Sequence, residues 1–216
     1  MVTELSSVAD LRDVYRKPNR TPLDKVIHHL DDHCVNFLAQ SPFFVLSTAD
    51  SNGVCDGSPK GGAPGFVEAL DSNHVAWADF SGNNRLDSFE NIVDNRSVAL
   101  LFLIPGLDET LRINGRARLT TDEALTTRFK FGDRAAKVVV VVEVDEAYIH
   151  CAKALRRSEL WDADSWVSPD QLPSVPQILK DHVGLDATTE EIAAASRADL
   201  EATLWQPGGQ HPDPKQ

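Results

Sequence analysis

Hydrophobic residues recur with helical spacing near the start of the chain and alternate as in strands further on. Apolar positions from Leu23 to Leu38 lie on one stripe, which predicts a single amphipathic helix with Pro22 in its first turn and Pro42 beyond its end. The middle of the chain then predicts roughly six or seven antiparallel strands with short turns and one inserted helix. Helices are expected at both ends, and this pattern favours a small closed β-barrel.

The strand predictions follow apolar runs and turn signals such as Asn52-Gly53. Glycine and proline interrupt the segment Gly57–Gly62, so we expect it to be a loop without regular pairing that approaches a ligand through its backbone and Lys60. The alternative is a plain wide loop between strands. The predicted strands are Phe43–Thr48, a return strand from Val54, Phe66–Leu70, His74–Ala78, the apolar and doubly buried Ser97–Ile104, Thr110–Leu119 and Val138–Val144. Further helices are predicted over 83–94, over 121–129 with Thr121 as cap, and after Thr188 or Thr189.

Arg85 is the first indication of a binding site. It would lie in or just after the first turn of a helix capped by Ser81 or Asn83, where the helix dipole disfavours a cation by about 0.3–1 kcal/mol. A bound anion would reverse that sign, because backbone N–H groups and the guanidinium would share it. The alternative is an exposed Arg85 that pairs with Asp87 or Glu90.

Charge and cysteine content narrow the class of protein. The net charge of −12 argues against nucleic acid and anionic membranes as partners, so any anion site must be local. Three scattered cysteines fit a reducing compartment without disulfides. The N-terminus lacks the apolar segment of a signal peptide, and the longest apolar run, from Val98 to Pro105, is too short to cross a bilayer. These features predict a cytoplasmic protein.

Metal and nucleophile chemistry have weak support in the sequence. His29 and His33 are four residues apart beside His28, but no third ligand follows at a recognisable spacing, so a solvated face is favoured. His150 and Cys151 are neighbours on a strand and would point to opposite faces. No G-x-S-x-G, G-x-G-x-x-G or P-loop motif is present. A bound cofactor that supplies the chemistry is the more economical hypothesis.

Three arginines share one face of the strand predicted over 110–119. Arg112, Arg116 and Arg118 alternate with apolar residues in a chain that is otherwise acidic. They could bind an anionic ligand or pair with carboxylates across a subunit contact. Pairing is favoured for Arg118, and the role of Arg112 stays open.

Several short motifs, in this order and spacing, resemble the pyridoxamine 5′-phosphate oxidase-like family, and more narrowly an uncharacterised bacterial FMN-binding branch of it. The resemblance covers roughly residues 20–165. It implies a mainly β fold, a split β-barrel with antiparallel Greek-key-like strands. It also implies a homodimer with one FMN in each of two clefts at the interface. The motifs are Ser58-Pro59-Lys60-Gly61, Pro64-Gly65-Phe66-Val67, Gly82 to Ser88, Asn91-Ile92, Phe102 to Gly106, Glu109 to Arg112, Asn114 to Ala117 and His150 to Ala154.

The resemblance also implies which residues contact the cofactor and the substrate. One cation of the family's phosphate-binding pair is replaced here by Asn84, and the Arg-bearing end of the authentic oxidase is missing, so pyridoxamine phosphate is not the expected substrate. The implied FMN-binding residues are Asp56, Ser58, Pro59, Lys60, Asp79, Phe80, Ser81, Asn84, Arg85, Ser88 and Thr110. The substrate candidates are Arg112, His150 and Trp161, and the last two are expected to come from the second subunit.

The expected function is an FMN-dependent oxidoreductase that acts on an unknown small organic substrate, with no metal, nucleic acid or membrane partner. The alternatives are a non-enzymatic binder of flavin, or of haem through His150 or the His28–His33 cluster, and a metal-dependent protein that uses those N-terminal histidines. The expected organisation is an N-terminal arm over 1–20, the barrel domain with its first helix over 21–165, a helical extension over 166–206 and a disordered tail over 207–216.

Overall fold

The structure, a computed structural model, describes residues 4–80 and 82–206, so the predicted disordered tail lies outside the described residues. Nine strands and eight α-helices are found among those residues. The strands are β1 Phe43–Ala49, β2 Cys55–Gly61, β3 Glu68–Asp71, β4 His74–Ala78, β5 Ser97–Leu103, β6 Thr110–Thr120, β7 Lys130–Phe131, β8 Arg134–Ala135 and β9 Val139–His150. The helices are α1 Val8–Val14, α2 Thr21–Asp24, α3 Asp32–Gln40, α4 Asp87–Asp94, α5 Glu123–Arg128, α6 Lys153–Ser158, α7 Val175–Val183 and α8 Thr189–Thr203.

Seven of the strands form one antiparallel sheet in the order β2-β1-β5-β6-β9-β4-β3. Three hairpins, β1–β2, β3–β4 and β5–β6, supply neighbouring strands from short turns, as the sequence predicts. The sheet does not close, because β2 and β3 are left as its two edges. The closed barrel expected from strand spacing is therefore wrong, and the fold is an open, split β-barrel with flanking helices.

The main core lies on one face of this sheet, which we call the inner face. Phe44, Leu100, Phe102 and Ile113 are fully buried there. The Phe44 ring packs edge-on to Trp77, with the centroids 5.0 Å apart, and lies 4.8 Å from the Phe102 ring. Burial of such side chains contributes roughly 1.5–3 kcal/mol each, so this cluster fixes the register of the strands around it.

The opposite face carries apolar side chains that are only half-buried. We define the outer face by Phe43, Val45, Leu101, Leu103 and Arg112, which the strand register places together on β1, β5 and β6. The sequence predicts a strand buried on both faces at β5, but the single chain buries only Val98, Leu100 and Phe102 well. The described residues leave the other side of β5 partly open to solvent.

The single helix predicted over Leu23–Leu38 is wrong, because two short helices replace it. Ile27 leaves the helical path and exchanges two backbone hydrogen bonds with Ala147 of β9, at 3.0 and 2.8 Å. Asp31 then starts α3 by accepting a hydrogen bond from the Cys34 N–H at 2.9 Å. The apolar stripe is real, but it is divided between a sheet contact and a helix.

The Gly57–Gly62 segment is not a wide loop. Most of it belongs to β2, which pairs residue by residue with β1 from Ala49↔Cys55 to Phe43↔Gly61. β2 is an edge strand, and Pro59 is tolerated there because an edge residue whose N side faces away from the sheet needs no donor. The glycine and proline content therefore indicates an edge strand.

Several helix ends differ from the sequence predictions, and one agrees. Asp122, rather than Thr121, caps α5 by accepting from the N–H groups of Ala124 and Leu125. Thr188 caps α8 in a reciprocal capping box with Glu191, as one of the two predicted alternatives requires. No helix among residues 4–80 and 82–206 is long and apolar enough to span a bilayer.

Candidate functional site

A cavity of about 770 Å³ opens beside the edge strand β2. It is enclosed by β2, the end of β4, the segment 82–89 and the last residues after α8. A volume of this size is typical of sites for small molecules and cofactors. Of the residues that the resemblance assigns to FMN, the cavity lining brings together Asp56, Ser58, Pro59, Lys60, Asp79, Phe80, Asn84, Arg85 and Ser88. Ser81, also assigned to FMN, lies outside the described residues.

The segment that leads into α4 carries backbone strain at the cavity wall. Asn84 and Leu86 have φ angles of 56° and 62°, in the left-handed region of the backbone map. Residues other than glycine and asparagine rarely adopt this conformation, so the strain falls on Leu86. Leu86 is the N-cap of α4, and it supplies no side-chain hydrogen bond to the first turn. The helix therefore begins several residues later than predicted and presents an uncapped N-terminus beside the cavity.

Arg85 lies just before α4, and the prediction that it lies in or just after the first helical turn is wrong. Its Nε makes an ion pair with Asp87 Oδ2 at 2.6 Å, as the alternative interpretation expects, and 76% of its side chain is exposed. Arg85 nevertheless lines the cavity together with Lys60. The Arg85 backbone N–H also donates to Asn83 Oδ1 at 3.1 Å, which helps to hold the strained segment.

Lys60 and Asp79 are the two ionisable groups whose titration is most altered at the cavity. Burial raises the pKa of Asp79 from its ordinary value of 3.8 to about 6, although the nearby Lys60 charge opposes this shift. Burial lowers the pKa of Lys60, and here the Asp79 charge opposes the shift. Desolvation exceeds mutual attraction for both groups. The Asp79 carboxyl can thus gain or lose a proton close to neutral pH.

A side-chain bridge fixes α4 against the sheet. The Asn91 Nδ2 of α4 donates to Thr48 Oγ1 on β1 at 3.1 Å and to Asp56 Oδ2 on β2 at 2.8 Å. Asn91 and Thr48 are both buried, so these hydrogen bonds are protected from water. The carboxylate of Asp56, which was predicted to contact FMN, is therefore engaged in positioning α4.

Aromatic side chains form much of the remaining wall. Phe66, Trp77, Phe80, Phe89 and Trp205 line the cavity, and the Lys60 Nζ lies 5.8 Å from the centroid of the Phe89 ring. The Trp205 ring stands edge-on to Phe80, with centroids 6.2 Å apart. Sequence reasoning missed Trp205, because nothing local indicates that the end of α8 returns to the sheet. Flat aromatic surfaces suit a planar ring system as ligand.

The other predicted site residues do not line this cavity. Thr110, Arg112 and His150 belong to the ends of β6 and β9, with Thr110↔His150 and Arg112↔Tyr148 in register. The Trp161 Nε1 donates to the Leu107 carbonyl at 2.9 Å, in the turn between β5 and β6. Arg112 lies on the outer face, whereas Lys60 pairs with Phe44 of the inner face. Within one chain, Thr110, Arg112 and His150 form a second group, and Trp161 contacts the turn before β6.

Histidine chemistry is separate from the cavity. His28 is hydrogen-bonded through Nδ1 to the Asp145 carbonyl at 2.8 Å, and the break before α3 separates it from the helix that carries His33. The described cavity lining contains no histidine that could ligate haem iron. No group of three or more potential metal ligands occurs within the part of the chain that the structure describes.

Comparison with known proteins identifies the family. The family model for pyridoxamine 5′-phosphate oxidase matches residues 30–151, which is more than half of the chain. The chain belongs to this family, so the resemblance stated from its motifs is confirmed. The matched range contains the whole seven-stranded sheet and the cavity wall apart from the residues after α8.

The solved structures that match this chain are distant in sequence. HupZ from Group A Streptococcus is 16% identical, with 56% of this chain and 93% of that chain covered and a TM-score of 0.44. A putative pyridoxamine 5′-phosphate oxidase from Lactobacillus delbrueckii is 20% identical, with coverage of 56% and 99% and a TM-score of 0.43. An FMN-binding protein from Syntrophomonas wolfei is 13% identical, with coverage of 61% and 88% and a TM-score of 0.41. No curated protein matches the sequence.

Proposed function

We propose that this chain binds FMN in the cavity beside β2 and acts as an FMN-dependent oxidoreductase on a small organic substrate. The observation that carries the proposal is the meeting of Lys60, Arg85 and the uncapped start of α4 at one cavity. Asp56, Asp79 and Asp87 line the same cavity, so the positive charge is local to Arg85 and the free N–H groups at the start of α4, and an anionic group bound there would be the partner of both. Membership of the family supports FMN as that ligand.

The phosphate of FMN would bind where Arg85 meets the start of α4. Charge-assisted hydrogen bonds from a guanidinium and from backbone N–H groups contribute roughly 1.5–3 kcal/mol each. The ion pair with Asp87 holds the Arg85 side chain near the helix end before the ligand arrives. The doubly charged phosphate would then replace the Asp87 carboxylate as the main partner of Arg85.

The rest of the cavity fits the flavin ring. The aromatic wall supplies flat apolar surface, and the half-buried Lys60 supplies a positive charge near it. When bound, the flavin supplies two-electron transfer. The chain's own contribution is to bind the ring, to restrict water and to hold or release a proton at the Asp79 carboxyl, whose pKa lies at about 6.

We further propose that two copies associate through the outer face. Phe43, Val45, Leu101 and Leu103 form a half-buried apolar surface in the single chain, which a second copy would cover. This arrangement would bring the group at Thr110, Arg112, His150 and Trp161 towards the cleft of the partner. Light scattering coupled to size exclusion should give twice the chain mass, and Leu101→Glu should give the monomer. A wild-type monomer would contradict this part of the proposal.

FMN binding is tested by flavin absorbance and titration of purified protein. Wild-type protein should be yellow or should bind added FMN, whereas Arg85→Ala should bind about 10–100-fold more weakly, the loss of one charge-assisted interaction. Arg116→Ala is the matched control, because Arg116 is an exposed arginine on β6 that does not line the cavity. A colourless protein that ignores FMN, or equal losses in both variants, would end the proposal.

Measuring reoxidation of the reduced flavin distinguishes an enzyme from a protein that only binds flavin. The bound flavin is reduced with dithionite and then exposed to a panel of oxidants, and reoxidation faster than that of free reduced FMN is expected for at least one class. A protein that binds FMN tightly but changes none of these rates would be a flavin-binding protein without enzymatic activity.

A further inference from the structure

A second positively charged cluster surrounds Tyr148 on the outer side of β6 and β9. The Arg112 Nη1 donates to the Tyr148 hydroxyl at 2.9 Å, and its guanidinium carbon lies 5.7 Å from the Tyr148 ring centroid. The Lys25 Nζ is 5.5 Å from the same centroid. The His150 ring lies 6.0 Å from the Tyr148 ring, centroid to centroid. Three basic side chains therefore converge on one tyrosine.

The basic side chains of this cluster are not engaged in ion pairs with carboxylates among the described residues. Among the residues that the structure describes, Lys25, Arg112 and His150 take part in no ion pair, whereas Arg20, Arg85, Arg128 and Arg156 each pair with an aspartate or glutamate. Glu146, two residues before Tyr148 on the same face of β9, accepts a hydrogen bond from Asn114 at 2.6 Å. Burial lowers the pKa of His150, and the charges of Arg112 and Lys25 lower it further.

The donors of the cluster are not exhausted by the protein. Because Arg112 donates to the Tyr148 oxygen, the Tyr148 O–H is left to donate elsewhere, and the guanidinium keeps further N–H groups. The Lys25 ammonium uses one donor on the Ile149 carbonyl, at 2.6 Å, and has two more. A guanidinium, an ammonium and a phenol grouped around one aromatic ring offer the donors that an oxyanion with several acceptor atoms needs.

Lys25 is held at this position by the backbone. The reciprocal hydrogen bonds between Ile27 and Ala147 attach the segment after α2 to β9. The His28 Nδ1 contact with the Asp145 carbonyl attaches the same segment one step further along. Lys25 lies outside residues 30–151, so the segment that completes the cluster is not part of the matched family range.

We propose that Lys25, Arg112, Tyr148 and His150 form a binding site for the carboxylate or phosphate group of a small anionic substrate. This inference rests on the proposed function and on the proposed dimer, because the cluster and the cavity of one chain lie on opposite faces of the sheet. The substrate would be oxidised or reduced at the flavin in the cleft of the partner subunit while its anionic group is held here. It narrows the unknown substrate to small molecules that carry an oxyanion.

The test is an NMR titration of the His150 ring in flavin-loaded protein, with His150→Gln used to assign the resonance. Flavin loading occupies the cations of the cavity, so inorganic phosphate and benzoate report on the second cluster. At least one of these anions should shift the His150 resonance saturably and raise its pKa. Arg112→Gln should weaken that binding about tenfold or more, and Lys25→Gln should weaken it less. Arg116→Gln, an exposed arginine two positions further along the same strand face, should have no effect.

Three outcomes would overturn the proposal. The His150 resonance could ignore both anions, Arg116→Gln could weaken binding as much as Arg112→Gln, or Arg112→Gln could dissociate a dimer that binds no anion, which would assign the cluster to a subunit contact. If the protein binds no FMN, the same titration is run on flavin-free Arg85→Ala protein. Anion binding by that variant would support the anion site at Arg112 even though the proposal of FMN binding had failed.

Discussion

Replacing Asp79 with asparagine should raise the free energy of unfolding above pH 6. It also removes the carboxyl group that can hold or release a proton at the cavity. Burial holds the pKa of Asp79 at about 6, above its ordinary value of 3.8, so the folded chain binds this proton more tightly than the unfolded chain. Wild-type stability should therefore fall as pH rises from about 4 to about 6 and stay lower above that range. Asparagine imitates the protonated acid and should remove this fall.

The size of the effect follows from the shift. A pKa difference of about two units corresponds to about 3 kcal/mol, since each unit is about 1.4 kcal/mol. That figure already includes the attraction of Lys60, because the raised pKa is the balance of burial and that charge. The side chain is only partly buried, so solvent screening reduces the expected gain in the free energy of unfolding to about 1–3 kcal/mol at pH 7.

Urea unfolding without added flavin, followed by the fluorescence of the buried Trp77, measures this gain. The stability difference between Asp79→Asn and wild type should be near zero at pH 3.8 or below and should reach its full value above pH 6. Asp145→Asn, at an exposed position on β9, is the control and should leave the curve unchanged. A difference that is the same at every pH would refute the reasoning, because a packing change does not titrate.

Three other changes test separate parts of the structure. Gly115→Ala should destabilise the fold by about 2–3 kcal/mol in urea unfolding, because its Cβ would lie 2.0 Å from the Glu143 carbonyl oxygen at the β6–β9 bulge; an unchanged midpoint would contradict that geometry. Asn91→Ala should cost about 1–3 kcal/mol, because it leaves buried groups without their donor; a thermal midpoint equal to wild type would show that the bridge is dispensable. Trp205→Ala should weaken FMN binding about 2–10-fold in a fluorescence titration while Trp166→Ala, outside the cavity, does not; equal affinities would remove the end of α8 from the site.

The sequence predicts the sheet well where the signal is local. β4, β5 and β6 follow from alternation or unbroken apolar runs, and the turn at Asn52-Gly53 correctly joins β1 to β2. Most of the residues predicted to bind FMN lie around one cavity, and all of these lie within the range that the family model matches. Their roles as ligands of FMN stay predictions.

Two of the misses come from contacts between distant segments, and a third comes from a local backbone conformation that the residue type does not favour. The bridge from Ile27 to Ala147 divides the first helix, and no periodicity in the first helix reveals a partner on β9. The left-handed conformation of Leu86 delays α4, although leucine has no preference for it. Trp205 reaches Phe80 only because the chain after α8 returns to the cavity.

The two edge strands of the seven-stranded sheet, β2 and β3, make the sheet a poor template for fibril formation. A foreign strand that adds to β2 meets no N–H donor at Pro59, so a continuous intermolecular ladder cannot form along that edge. The other edge, β3, is four residues long and is interrupted by a register shift between Ala69 and Asp71. At high concentration or on heating, the protein should therefore form amorphous aggregates through exposed apolar surface before it forms amyloid-like fibrils through either edge strand.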